Sequence, residues 1–212
     1  MLLCALCLLA QLGLCLDGGD NMITILFARK DSAYKNYNLD VYDFERDALT
    51  YIGKDTVIAH PPCRAWGRLS HMANPRIGEK ELAYFALSKV RENGGVLEHP
   101  LGSKLWKDKQ LPRGNQIDAF GGFTLEIDQY DFGHVAPKRT LLYIVGMSRE
   151  HLPPLPTKNT EKPVRSIAGN IEGTKRCTQY QREYTPDTLI VFLLRLCEII
   201  QDRKNNIKID NI

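Results

Sequence analysis

Val57-Ile58-Ala59-His60-Pro61-Pro62-Cys63-Arg64-Ala65-Trp66-Gly67 is the stretch on which the reading of this chain turns. Its apolar start reads as a buried strand. Two prolines then remove backbone donors and fix φ, so the strand must stop and the chain must turn. A residue held just past a strand's C-terminal end stands where open α/β sheets place their ligands. Cys63 occupies that position, with Arg64 beside it to favour a thiolate. A lone intracellular cysteine is more often a small buried hydrophobe; the Pro-Pro-Cys-Arg context favours a nucleophile.

Working outward, Asn74-Pro75 through Gly78 predicts the start of a helix, with Glu79 and Glu81 in its favourable first turn. Leu82, Phe85, Ala86 and Val90 recur at helical spacing, and Asn93-Gly94-Gly95 stops the helix. Val96-Leu97-Glu98-His99-Pro100 follows as a second buried strand ended by proline. Strand, helix and strand of this length form a βαβ unit whose strands are parallel neighbours. Cys63 and Glu98 should then share one edge of the sheet.

Residues 23–27 predict the first strand and residues 39–42 a short second one ending in acids. Residues 103–109 read as a short helix, and 123–127 and 140–145 as further strands joined by a turn that carries His134, Lys138 and Arg139. Residues 150–180, rich in proline, lysine and threonine and without a period, read as a loop region. A final helix is expected to be capped by Thr185, to begin at Pro186 and to bury Leu189, Phe192, Leu193, Leu196 and Ile200, with residues 205–212 a frayed tail. The chain is therefore expected to be one Rossmann-like α/β domain over residues 22–204, with a mostly parallel sheet and a C-terminal helix.

The 212 residues, 43% hydrophobic, are enough for a single core. The six cysteines show no disulfide spacing, which makes a reducing, cytoplasmic setting the expectation. Residues 1–21 carry no Lys or Arg, and Leu2 to Leu16 are apolar apart from Gln11 and Gly13. They are short for a membrane span and lack a signal peptide's basic start. Gly18-Gly19-Asp20-Asn21-Met22 can be encoded by a purine-rich ribosome-binding stretch before an ATG, so Met22 is the expected start and residues 1–21 a translated upstream leader. That leader holds Asp17 and Asp20, leaving the remainder slightly more basic than the overall +3, a balance compatible with nucleic acid without being diagnostic of it.

The order of motifs resembles that of DNA cytosine-5 methyltransferases, in particular short phage-encoded proteins of that type. Pro62-Cys63 matches the Pro-Cys of their nucleophile motif, with Arg64 where glutamine is usual. Glu98-His99-Pro100 stands where they carry Glu-Asn-Val. Tyr130-Asp131-Phe132-Gly133 through Lys138-Arg139, with the strand after it, resembles their Tyr-Gly-x-Pro-Gln-x-Arg segment, and Ile25-Leu26-Phe27-Ala28 resembles the start of their first motif. The resemblance covers most of residues 22–146. It implies DNA as partner and S-adenosylmethionine as cofactor, held near Phe27, Asp43 and Pro61. Cys63 would add to carbon 6 of cytosine, a poor electrophile, to make carbon 5 nucleophilic, and Glu98 would hold N3 and the exocyclic amine. Arg64, Trp66, Lys138 and Arg139 would contact base or phosphate, although core packing for Trp66 and a solvated turn for Lys138-Arg139 are the simpler readings.

Three departures stand beside the resemblance. Phe27-Ala28-Arg29-Lys30-Asp31-Ser32 lacks the glycines that let a backbone approach a cofactor. About thirty residues separate the first strand from that of Cys63, too few for two βα units. Between Gly146 and Thr185 only a vestigial target-recognition domain fits. Two alternatives remain open: a pyrimidine-nucleotide enzyme using the same Cys/Glu pair, as thymidylate synthases use a Pro-Cys nucleophile, and a non-catalytic relative that binds DNA or protein. His60, Cys63, His71 and His99 match no common zinc spacing, so no metal is expected.

Overall fold

The structure, a computed structural model, describes residues 22–68, 70–169 and 171–209; the expectation for residues 1–21 lies outside them. β1 (Ile23–Leu26), β2 (Asp40–Val41), β3 (Thr56–Ala59), β4 (Gly95–Pro100), β5 (Phe123–Asp128) and β6 (Arg139–Val145) form one sheet in the order β2-β1-β3-β4-β6-β5. β2, β1, β3 and β4 pair in parallel, while β6 runs antiparallel to both β4 and β5. Five strands thus share one direction, and the expected α/β architecture with a mostly parallel sheet and a C-terminal helix is observed.

Helices α1 (Glu79–Asn93), α2 (Leu105–Asp108), α3 (Gln179–Glu183) and α4 (Asp187–Ile209) complete the domain, with a two-stranded ribbon of β7 (Arg165–Ser166) and β8 (Lys175–Arg176). The central strands are apolar without alternation because both faces are covered. Ile25, Ile58, Val96 and Ile144 pack on the side of α4 with Leu189, Leu193, Leu196 and Ile200. Val57, Ala59, Leu97 and Leu141 pack on the other side with Ala83, Ala86, Leu87 and Val90 of α1. At the start of β4, Gly95 has φ +134°, and a Cβ there would lie 2.0 Å from the Val57 carbonyl oxygen. Only glycine lets β4 close on β3 at that point.

Two expectations are corrected. Residues 150–180 are not all loop, since they hold β7, β8 and the start of α3. The last helix does not fray at Asn205 but continues to Ile209, beyond its apolar stripe; just before that point Lys204 Nζ reaches Thr56 Oγ1 at 3.1 Å.

No α-helix joins β1 to β2 or β2 to β3; only 3-10 turns at Ala33–Asn36 and Ala48–Thr50 do so. The chain steps from β1 to one side to make β2, then returns across β1 to make β3. Strand order therefore reverses between β1 and β3, and a crevice opens beyond their C-terminal ends.

Candidate functional site

A cleft of about 420 Å³ opens at that reversal, a size usual for small-molecule sites. The loop after β1 supplies Phe27 through Tyr34. The loop after β3 supplies His60 through Arg64, β4 supplies Glu98, and the end of the β5–β6 turn supplies Lys138. Gln179, Tyr180, Glu183 and Tyr184 form the far wall. Cys63 and Glu98 therefore face one cleft from adjacent parallel strands.

Glu98 is the most firmly held group in the cleft. The register pairs Ala59 with Leu97, which sets His60 opposite Glu98 one step further on. His60 Nδ1 lies 3.1 Å from Glu98 Oε2, and Gln129 Nε2 donates to Glu98 Oε1 at 3.1 Å and to Thr140 Oγ1 at 3.0 Å. Burial alone would raise the Glu98 pKa, but the His60 hydrogen bond and the Lys138 charge outweigh it and bring the carboxyl down to about 2. Glu98 is thus an ionised acceptor to which His60 Nδ1–H donates, while His60 Nε2 lies 2.9 Å from the buried Tyr34 hydroxyl.

Cys63 is exposed as a residue, yet burial is the largest influence on its thiol and pushes its pKa up. The Glu98 charge acts in the same direction and Lys138 opposes both. Arg64 remains coupled to the Cys63 charge, but its strongest partner is Glu79. Arg64 turns to the buried Glu79 and binds it bidentately, at 3.0 and 2.5 Å, locking the Cys63 turn to the start of α1. Burial and the Glu98 charge thus favour the neutral thiol at Cys63.

The remaining expected site residues divide. Phe27, at φ +62°, and Pro61 line the cleft. Asp43 does not: its carboxylate pairs with Lys35 and accepts the N–H groups of Glu45 and Arg46. Trp66 is core, 2% exposed, with its indole donating to the Lys80 carbonyl at 3.1 Å. Lys138 lines the cleft with Nζ 3.3 Å from the Tyr184 carbonyl. Arg139, the next residue on a pleated strand, faces away and pairs with Glu126.

Sequence reasoning missed Tyr34, Gln129 and the whole of α3. A Thr178/Gln181 capping box starts that helix and was the signal available for it. Arg29 stacks on Tyr180 at 4.5 Å and donates to the Tyr180 carbonyl at 3.0 Å. The ring nitrogens of the buried His134 each meet a carbonyl oxygen at 2.7 Å, Nδ1 that of Ala136 and Nε2 that of Gln181. These two contacts and Lys138 pin α3 and the residue after it as a wall of the cleft.

Behind the site, His99 is buried against Trp106 and bonds Ser103 Oγ at 2.7 Å. Burial lowers its pKa from 6.5 to about 4, against the opposing pull of Glu98. The neutral form is thus favoured in the fold, and its stabilisation is complete above the unfolded value and lost as pH falls from 6.5 towards 4. Stability from urea unfolding should fall by about 2 kcal/mol between pH 7 and pH 5. His99→Asn should flatten that slope.

Among the described residues no group of three or more His, Cys, Asp or Glu is placed to hold a metal ion, and no helix is long and apolar enough to cross a membrane. Searched against protein-family models and against curated proteins, the chain matches none.

Proposed function

We propose that the cleft is the site of a pyrimidine-directed transferase of the DNA cytosine-5 methyltransferase type, within a Rossmann-like domain. One observation carries the reading: Cys63 and an ionised, rigidly held Glu98 face the same cleft from adjacent strands at the sheet's reversal point. A nucleophile and a fixed acceptor for the base edge are the pair that addition to cytosine requires.

In this reading the exocyclic amine of cytosine donates to Glu98. The Cys63 sulfur bonds to carbon 6 as its proton leaves to water in the cleft, and the π pair of the 5,6 bond becomes available at carbon 5. Glu98 then favours protonation of N3, which offsets the charge that addition places on the ring. Once carbon 5 has taken its new substituent, loss of its proton and departure of the sulfur restore the aromatic ring and return Cys63.

Phe44 bears on the cofactor. It is 80% exposed, and its side chain lines the cleft together with Phe27 and Pro61. An aromatic ring so open to water at a cleft suits a flat heterocycle as its cover. These three apolar surfaces fit the adenosine of S-adenosylmethionine, whereas Asp43 is already spent on Lys35. When bound there, S-adenosylmethionine supplies an electrophilic methyl group.

The test is covalent trapping. DNA containing 5-fluorocytosine, with S-adenosylmethionine present, should give a complex that survives denaturing electrophoresis, because fluorine cannot leave as a proton does. Trapping by a fluorinated nucleotide, and not by DNA, would move the proposal to the free-nucleotide enzyme. Absence of any adduct would overturn it.

A further inference from the structure

Beyond the cleft, on the other side of the Cys63 turn, lies a second and more open groove of about 900 Å³. Its walls are the segment from Ser70 to Gly78, the first turn of α1 and the face of α2. Arg76 lines both this groove and the Cys63 cleft, so the two adjoin at that residue.

The groove is basic, and its cations are not consumed by neighbouring acids. Arg76, Lys80, Lys104 and Lys107 are all exposed, and among the described residues none of them makes a carboxylate ion pair. Lys80 Nζ stands 4.9 Å over the Trp66 ring, and Lys104 Nζ donates to Ser70 Oγ at 2.7 Å. Both contacts hold a lysine in place without neutralising it. Asp108 is engaged by the Tyr84 hydroxyl at 2.9 Å and by Lys109 at 3.5 Å. That leaves Glu81 as the one acid of the groove that no cation meets. A group of unpaired cations in a groove that adjoins a base-sized cleft is complementary to a run of phosphates.

We infer that this groove carries the phosphate backbone of the DNA strand whose target base enters the Cys63 cleft. The inference rests on the proposed function for its choice of DNA and extends it, since it makes the substrate a polymer and not a free nucleotide. Contacts of this kind position the strand and carry no sequence information.

The experiment is fluorescence anisotropy on a labelled, cytosine-containing duplex across a salt series, using the full chain. Lys80→Glu, Lys104→Glu and Lys107→Glu should each weaken binding several-fold and lower the slope of log affinity against log salt by about 0.9. Lys→Gln at the same positions should act in the same direction and more weakly. Lys54→Glu, in the turn before β3 at the opposite edge of the sheet, should change neither quantity. Unchanged affinity and slope in all three groove variants would overturn the inference, as would equal losses from Lys54→Glu or tighter binding of an RNA of the same sequence. The proposed chemistry fails separately: wild type would then give no adduct on 5-fluorocytosine DNA while the groove variants still lost affinity.

Discussion

Cys63→Ser is expected to abolish covalent trapping on 5-fluorocytosine DNA while leaving DNA affinity and the fold close to those of wild type. A serine hydroxyl is a far weaker nucleophile, and the imidazole of the cleft is not free to activate it: His60 is committed at both nitrogens, to Tyr34 and to Glu98. The swap changes volume little, so the cost is that of a hydroxyl in a partly dry cleft, about 1–3 kcal/mol. The companion measurement is alkylation of wild type by iodoacetamide against pH. Because burial and the Glu98 charge raise the thiol's pKa, the rate should keep climbing through the alkaline range instead of levelling near neutrality. Lys138→Gln should push that rise to still higher pH, since Lys138 is the charge opposing the shift. A rate flat from neutral pH upward would mean a preformed thiolate and would contradict the electrostatics described here.

What the sequence disclosed and what it hid follow from the range of the forces involved. Pro61-Pro62 and Pro100 end their strands by local geometry, and β3 ends at Ala59 where the prolines require it. The meeting of Cys63 and Glu98 followed from one βαβ unit, whose helix spans Glu79–Asn93. The partners of the polar groups were not legible, because each depends on an element distant in sequence. Arg64 beside Cys63 suggested an electrostatic helper; its main partner, Glu79, comes from the first turn of α1 fifteen positions on. Lys138 and Arg139 are equivalent in sequence, and the pleat alone sends one to the cleft and the other to Glu126. Core packing was the simpler reading of Trp66, and α1 covers it. His60 was the most accessible omission, since the register that joined Cys63 and Glu98 also places His60 across from Glu98.

Glu98→Gln is the second variant with a large expected effect, and it reads the carboxylate in two ways. In the native site both oxygens accept, one from His60 and one from Gln129. A glutamine amide presents one acceptor and one donor, so one of those neighbours meets a donor instead of an acceptor, and the ring loses the charge that favours N3 protonation. The rate of adduct formation should fall by about 10²–10³-fold, the usual scale for removing one preorganised electrostatic partner, while DNA affinity, set by the groove, stays within a few-fold of wild type. The second readout is acid stability. The Glu98 pKa is depressed from 4.5 to about 2, so its stabilisation is present above the unfolded value and is lost as pH falls from 4.5 through 2. The shift corresponds to about 3 kcal/mol. Wild type should therefore lose stability across that interval, and Glu98→Gln should lose correspondingly less there while starting from a lower value near neutrality. His60→Asn should reproduce part of the acid effect, since the His60 hydrogen bond is the strongest influence holding Glu98 ionised against burial. If both variants kept the full wild-type acid slope, Glu98 would be protonated in the resting cleft, and its assigned role as a fixed anionic acceptor would be wrong.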